Sequence, residues 1–233
     1  AMGVAALVVD SFAARRERAS GFIDHLLNIT ETMLVADAYA ALGHLARRGD
    51  VDPGRVALVG FSYGGMAAVY AAYAQLADRL APDGLRFAGH VAFYAPCIAR
   101  FDDPRTTGAP VLLLYGGRDT STDPRRCAEI AEDLRSGGSR VESIVYPEAV
   151  HQWDGGARER PIGRDLTGCR FSVERDGTVR DDHTWLAMVG PITRKAALWL
   201  CVRDRPYLIG RDDAVRARSN SDLGRFLQRL FDG

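Results

Sequence analysis

The stretch Gly60-Phe61-Ser62-Tyr63-Gly64 sets one hydroxyl between two glycines, where the apolar run from Arg55 to Phe61 gives way to an alanine-rich helical pattern. A serine on a sharp strand-to-helix turn has its hydroxyl pushed clear of the backbone, and flanking glycines remove side chains that so crowded a turn would not admit. The chemistry this permits is nucleophilic attack. A hydroxyl is a weak nucleophile until a base takes its proton, so a base and a carboxylate to orient it are also required. Asp119 follows the apolar run Pro110 to Tyr115 and His151 follows Val141 to Tyr146, so serine, acid and histidine come in that order, each just past a strand. The backbone N–H of Tyr63, at the head of the next helix, would face the developing oxyanion.

Each of these residues has a plainer reading. The glycine-flanked serine fits an incidental tight turn, Asp119 a loop carboxylate and His151 a surface histidine. Asp123, directly before Pro124, is the better helix cap, which leaves Asp119 for another role. His25, His44, His90 and His183 fall in a loop, an outward helix face, a strand start and a late irregular region, so only His151 follows a strand late in the order. The metal-ligand spacings of a zinc site are absent from the sequence, and the chemistry outlined needs no cofactor.

The elements that must position these residues alternate. Residues 4–9 and the runs ending at Phe61, Ala95, Tyr115 and Tyr146 read as buried strands. Helical spacing recurs over residues 30–48, 64–80 and 124–134. This predicts an α/β domain with a mostly parallel sheet flanked by helices. After about residue 152 the rhythm breaks, and residues 155–212 read as an irregular insertion with a hairpin turning at Asp176-Gly177 and carrying Phe171, Val173 and Val179. Two helical stretches close the chain, one near 192–201 and one carrying Leu223, Phe226, Leu227 and Leu230. Residues 1–233 are thus expected to form a single domain, with 155–212 as a lid or specificity segment.

With 233 residues, 30 basic and 30 acidic, the chain is long enough for one real core and gives no reason to expect a nucleic acid or anionic membrane partner. Its longest apolar runs fall short of the roughly 18 residues of a membrane span. Cys97, Cys127, Cys169 and Cys201 are expected to be free buried thiols in a cytoplasmic protein, with a Cys169–Cys201 pair as the alternative if it is exported.

The stretches VVDSFAAR, DAYAALGHL, VDPGRVALVGFSYGGMA, AFYAPC, APVLLLYGGRDTSTDPRRC and VYPEAVHQWD, in this order over residues 4–154, resemble the dienelactone hydrolase family of the α/β-hydrolases, especially its serine-bearing members. The resemblance implies the α/β-hydrolase fold, a triad of Ser62, Asp119 and His151, and a Tyr63 N–H giving half of an oxyanion hole. It also implies that the family's first strands, and the loop carrying the second oxyanion donor, would precede Ala1, so the chain is expected to be a piece of a longer hydrolase. Arg15 falls where the family can anchor a substrate carboxylate, with Arg16 and Arg18 competing for that role. Phe12, Tyr63 and Trp153 are candidates to line an apolar pocket. Founding members carry cysteine at the elbow where this chain has serine.

The expected function is hydrolysis of a small ester or lactone by a serine hydrolase. A prolyl-oligopeptidase-like peptidase or acyl esterase, whose elbow GFSYGG also resembles, is the alternative within the class, and a non-catalytic α/β-hydrolase-fold binding module is the alternative outside it. Nothing in the sequence sets the oligomeric state.

Overall fold

The computed structural model describes residues 3–13, 15 and 27–232, so Arg16, Arg18 and His25 lie outside the described residues. Its centre is a four-stranded parallel sheet of β1 (Ala57–Phe61), β2 (Gly89–Phe93), β4 (Val111–Gly116) and β5 (Val141–Tyr146), in that spatial order. A parallel sheet is covered on both faces, so its inner strands are apolar throughout instead of alternating. In β4, Val111 and Leu113 face one core cluster, Leu112 and Leu114 the other, and all four are inaccessible to solvent.

Helices α1 (Glu31–Ala46), α2 (Tyr63–Tyr70) and α4 (Pro124–Ser136) build the first cluster and the carboxy-terminal α6 (Asp213–Phe231) builds the second. Each long helix starts on a side-chain cap. Thr30 Oγ accepts from the Met33 N–H, Asp123 from the Arg125 N–H, and Asp212 from the Ala214 and Val215 N–H groups. Asp123 therefore takes the capping role expected of it. The glycine at the head of β2 lets α6 approach, since a Cβ on Gly89 would sit 2.9 Å from a Leu230 methyl.

Two departures from the sequence reading concern elements. Residues 4–9 form no strand and run outside the sheet, with Leu7 52% and Val8 88% exposed. Apolar composition favours burial, but a strand exists only through an aligned backbone partner, and β1 forms its parallel ladder with β2 alone among the described residues. The helix expected over 64–80 is broken into α2 and α3 (Ala74–Leu80). The break has a tertiary cause: Thr107 N–H donates to Ala72 O, and Ala74 N–H to Arg105 O, so residues 105–107 capture the backbone that a continuous helix would use.

The late region does carry the hairpin, β7 (Phe171–Val173) against β8 (Val179–Asp181), with Gly177 at φ 98° in its turn. It is joined to the main body in a way the sequence did not disclose. Strand β7 pairs in parallel with β3 (Ala99–Phe101), and β6 (Arg160–Ile162) pairs antiparallel with β9 (Tyr207–Ile209), which follows α5 (Pro191–Cys201). The expectation of free thiols is corrected, and the alternative Cys169–Cys201 pair is the one that forms: Cys97 bonds Cys127 and Cys169 bonds Cys201, with no free thiol among the described residues. Partners 30 and 32 residues apart give no local signature of pairing. The fold decides it, by setting the loop after β2 beside α4 and the base of the hairpin beside α5.

His90 sits in β2 wholly buried, its ring edge against Phe87, and burial lowers its pKa from 6.5 to about 4. A depressed histidine pKa means that the unfolded chain binds the extra proton, so this stability is complete above pH 6.5 and lost as the pH falls toward 4. The loss amounts to roughly 3 kcal/mol over that window. Urea titrations at pH 7 and pH 4.5 are expected to show that drop, and His90→Leu to flatten the slope; equal slopes in both proteins would place the acid sensitivity elsewhere.

Candidate active site

The carboxyl ends of β1, β4 and β5 bring three side chains together. Ser62 follows β1 at once and holds φ 50° and ψ −115°, a conformation that a non-glycine residue adopts only under constraint from its surroundings. Its N–H donates to Phe93 O at 2.9 Å, and its own carbonyl accepts from Met66 N–H at 3.0 Å, so strand β2 and helix α2 fix the turn from both sides.

The glycines behave differently from one another. A Cβ on Gly60 would lie 2.0 Å from Gly64 O, and one on Gly65 would lie 3.0 Å from Phe93 O, whereas one on Gly64 would meet nothing within 4 Å. The two residues demanded by close approach are therefore Gly60 and Gly65, and Gly64 is not needed for space. Gly60→Ala is expected to abolish the native fold or the elbow. Gly64→Ala should fold normally and gain up to about 1 kcal/mol of helix propensity, a contrast that thermal melts of the two variants would check.

Ser62 Oγ lies 2.8 Å from His151 Nε2, and His151 Nδ1 lies 2.7 Å from Asp119 Oδ2. With the carboxylate at Nδ1, the proton of the neutral ring belongs there, which leaves the Nε2 lone pair to receive the serine proton. Asp119 and His151 are 5% and 1% exposed, so the relay between them is shielded from water. The Asp119 turn is closed by its own N–H donating to Gly116 O and by the N–H and hydroxyl of Ser121 donating to Oδ1 at 2.9 and 2.6 Å.

The insertion positions the histidine. His151 N–H donates to Leu208 O, and Gly210 N–H donates to His151 O, both at 3.0 Å, so β9 runs alongside the histidine loop. The imidazole is bracketed by ring edges, Tyr94 at 4.7 Å and Tyr207 at 5.3 Å between centroids. Tyr94 is anchored in turn by donating to Asp154 Oδ1 at 2.6 Å, and burial together with that carboxylate holds its phenol protonated, its pKa raised. Ser121, Tyr94 and Tyr207 were not among the residues singled out from the sequence. A serine two places after an aspartate is a recognisable turn signal, but nothing local connects Tyr207 to a histidine 56 positions earlier.

The remaining expected residues fall as follows. Tyr63 opens α2, so its backbone N–H has no intrahelical acceptor. Its side chain turns inward and donates to Ile29 O at 2.5 Å, and burial, then the Glu31 charge, raises its pKa. Phe12 stacks on Tyr63 with centroids 6.5 Å apart. Arg15 is not presented to a ligand: both Nη atoms hold Asp37, at 2.6 and 2.9 Å, and Nη1 also donates to Ser11 O. Trp153 does not line a pocket. It is fully buried against Phe93, Tyr94 and Tyr146, and its Nε1–H donates to Ser219 Oγ. Among the described residues there is no cluster suited to a metal ion and no helix long and apolar enough to cross a membrane.

Known proteins resemble this chain over about half of its length. Among curated proteins, the chain is 36% identical over 113 residues to a "Putative carboxymethylenebutenolidase" of Yersinia pestis, covering 48% of this chain and 42% of that protein. It is 30% identical over 128 residues to the protein of the same name from Escherichia coli K12, covering 54% and 46%. The chain thus spans less than half the length of these relatives. Among solved structures, a Klebsiella pneumoniae protein described as a "Putative Dienelactone Hydrolase" shares 26% identity at a TM-score of 0.43 over 54% of this chain and 52% of that one. The native Est2 esterase of Thermogutta terrifontis shares 21% at a TM-score of 0.45 over 56% and 59%. The model of the dienelactone hydrolase family matches residues 11–165, a span that holds Ser62, Asp119 and His151 together. On that match, the chain belongs to the dienelactone hydrolase family.

Proposed function

We propose that this chain carries the catalytic centre of a serine hydrolase that cleaves a small ester or lactone through an acyl-enzyme. The single observation that carries the reading is the unbroken relay from Ser62 Oγ through His151 to Asp119, with contacts of 2.8 and 2.7 Å. In this mechanism Ser62 Oγ bonds to the ester carbonyl carbon as its proton passes to His151 Nε2. The oxyanion so formed is stabilised by the Tyr63 N–H and the positive end of α2. Collapse breaks the bond to the leaving oxygen, which takes the proton from His151. For a lactone, that oxygen stays tethered to the acyl group. A water then gives its proton to Nε2 and attacks the acyl carbon, and Ser62 leaves with that proton restored. Asp119 holds the Nδ1 proton throughout and stabilises the imidazolium.

The family and the names of the curated relatives support an ester or lactone as substrate class. A peptidase would share the centre and the GFSYGG elbow, but the family match favours an ester or lactone. A pure binding module has no use for a serine held at φ 50° against a histidine. The two disulfides fit an oxidising compartment. The reading is tested by incubating the protein with a fluorophosphonate and, separately, with p-nitrophenyl acetate and a five-membered unsaturated lactone. A single adduct on Ser62 with turnover of either substrate is expected, and well-folded protein that does neither would overturn the proposal.

A further inference from the structure

Asp119 has two carboxylate oxygens, and the relay uses one. Oδ2 takes the His151 Nδ1 proton, and the other oxygen is held by Ser121, whose N–H and hydroxyl reach Oδ1 at 2.9 and 2.6 Å. The Ser121 hydroxyl also lies 3.1 Å from His151 Nδ1. These contacts fix one another's direction. Nδ1 carries the ring proton and cannot accept, so the single hydroxyl proton goes to Oδ1, and the lone pairs of Oγ are left facing the Nδ1–H. Ser121 is 5% exposed, so both contacts are buried.

We propose that Ser121 is a positioning residue for the Asp119–His151 pair, an inference that rests on the hydrolase reading above. It does two things that the backbone of its turn cannot. The torsion that rotates a carboxylate is broad and soft, and the hydroxyl pins the far oxygen so that Oδ2 stays on the His151 Nδ1 proton. It also offers a second oxygen to the Nδ1–H as the ring becomes positive, so the charge formed when Ser62 loses its proton is met by two acceptors. The rest of the loop holds the serine in place: Thr122 Oγ1 donates to Asp119 O at 3.3 Å, and Asp123 caps α4 two residues on. Any residue but proline at 121 would keep the N–H to Oδ1. Only a hydroxyl supplies the remaining two contacts.

Ser121→Ala isolates that hydroxyl, with Ser121→Thr as the variant that retains it. The readouts are the rate of Ser62 phosphonylation by a fluorophosphonate, kcat and KM for p-nitrophenyl acetate, and the melting temperature. The alanine variant is expected to lose roughly 10- to 100-fold in both the labelling rate and kcat, the effect of one hydrogen bond to a charged group. Its KM should stay within about threefold and its melt should remain near the wild type, while the threonine variant recovers most of the rate. An alanine variant within twofold of wild type in both rates overturns the inference and leaves the hydrolase reading intact. A rise in KM at unchanged kcat also overturns it, by assigning Ser121 to substrate contact. A well-folded wild-type protein with neither Ser62 labelling nor turnover of either substrate overturns the hydrolase reading itself.

Discussion

Ser62→Ala and His151→Ala are each expected to lower ester turnover by about 10⁵- to 10⁶-fold, and the double variant by no more than either alone. In the proposed mechanism the two groups act as one unit. Without the hydroxyl there is no acyl acceptor for the histidine to activate, and without the imidazole the serine keeps its proton, so the second deletion removes nothing that the first has left. Asp119→Asn is expected to cost about 10⁴-fold, because an amide at Oδ2 presents the wrong hydrogen-bond sense to Nδ1 and favours the tautomer whose Nε2 cannot accept. The measurement is kcat/KM for p-nitrophenyl acetate on proteins of matched fold, with fluorophosphonate adduct formation as a second readout. If Ser62→Ala and wild type share the same rate, the hydrolysis comes from elsewhere. Losses that multiply in the double variant would mean that Ser62 and His151 do not form a working pair, and the 2.8 Å contact would have no mechanistic content.

Removal of the Cys169–Cys201 bond is expected to cost both stability and activity. The partners are 32 residues apart, and closing a loop of that length restricts the unfolded chain by roughly 3–4 kcal/mol. In a chain of this size that corresponds to a fall in melting temperature of about 10 °C. The bond has a catalytic consequence as well, because it staples the base of the hairpin to α5, and β9, which follows α5, supplies the backbone partners of His151. The Cys169→Ala/Cys201→Ala protein should therefore lose activity at a lower temperature than it loses the helical signal of the central sheet's helices. The Cys97–Cys127 bond has a similar span of 30 residues but joins the loop after β2 to α4, so its removal should lower stability without that early loss of activity. Iodoacetamide on denatured, unreduced protein is expected to label no cysteine. Four labelled thiols, or a double variant that melts with the wild type, would remove both expectations.

The sequence by itself determined which side chains are offered for chemistry and the order in which the chain delivers them. The glycine-flanked Ser62 at a change of periodicity, Asp119 after one apolar run and His151 after a later one are local patterns. Continuous apolar runs, 3.6-residue spacing and the cap at Asp123 depend only on neighbours along the chain. For that reason β1, β2, β4, β5, α1 and α4 fall close to where these patterns put them. What depends on distant partners was decided by tertiary structure alone. The apolar run at residues 4–9 reads as a strand, but pairing, which composition cannot supply, leaves it outside the sheet. The break between α2 and α3 comes from residues 105–107, the disulfides from elements some thirty residues apart, and the bracketing of His151 from Tyr207 near the far end of the insertion. Arg15 and Trp153 show the same limit in their roles. A guanidinium and an indole are chemically suited to a ligand, and it was Asp37 on α1 and Ser219 on α6, placed by packing, that engaged them first.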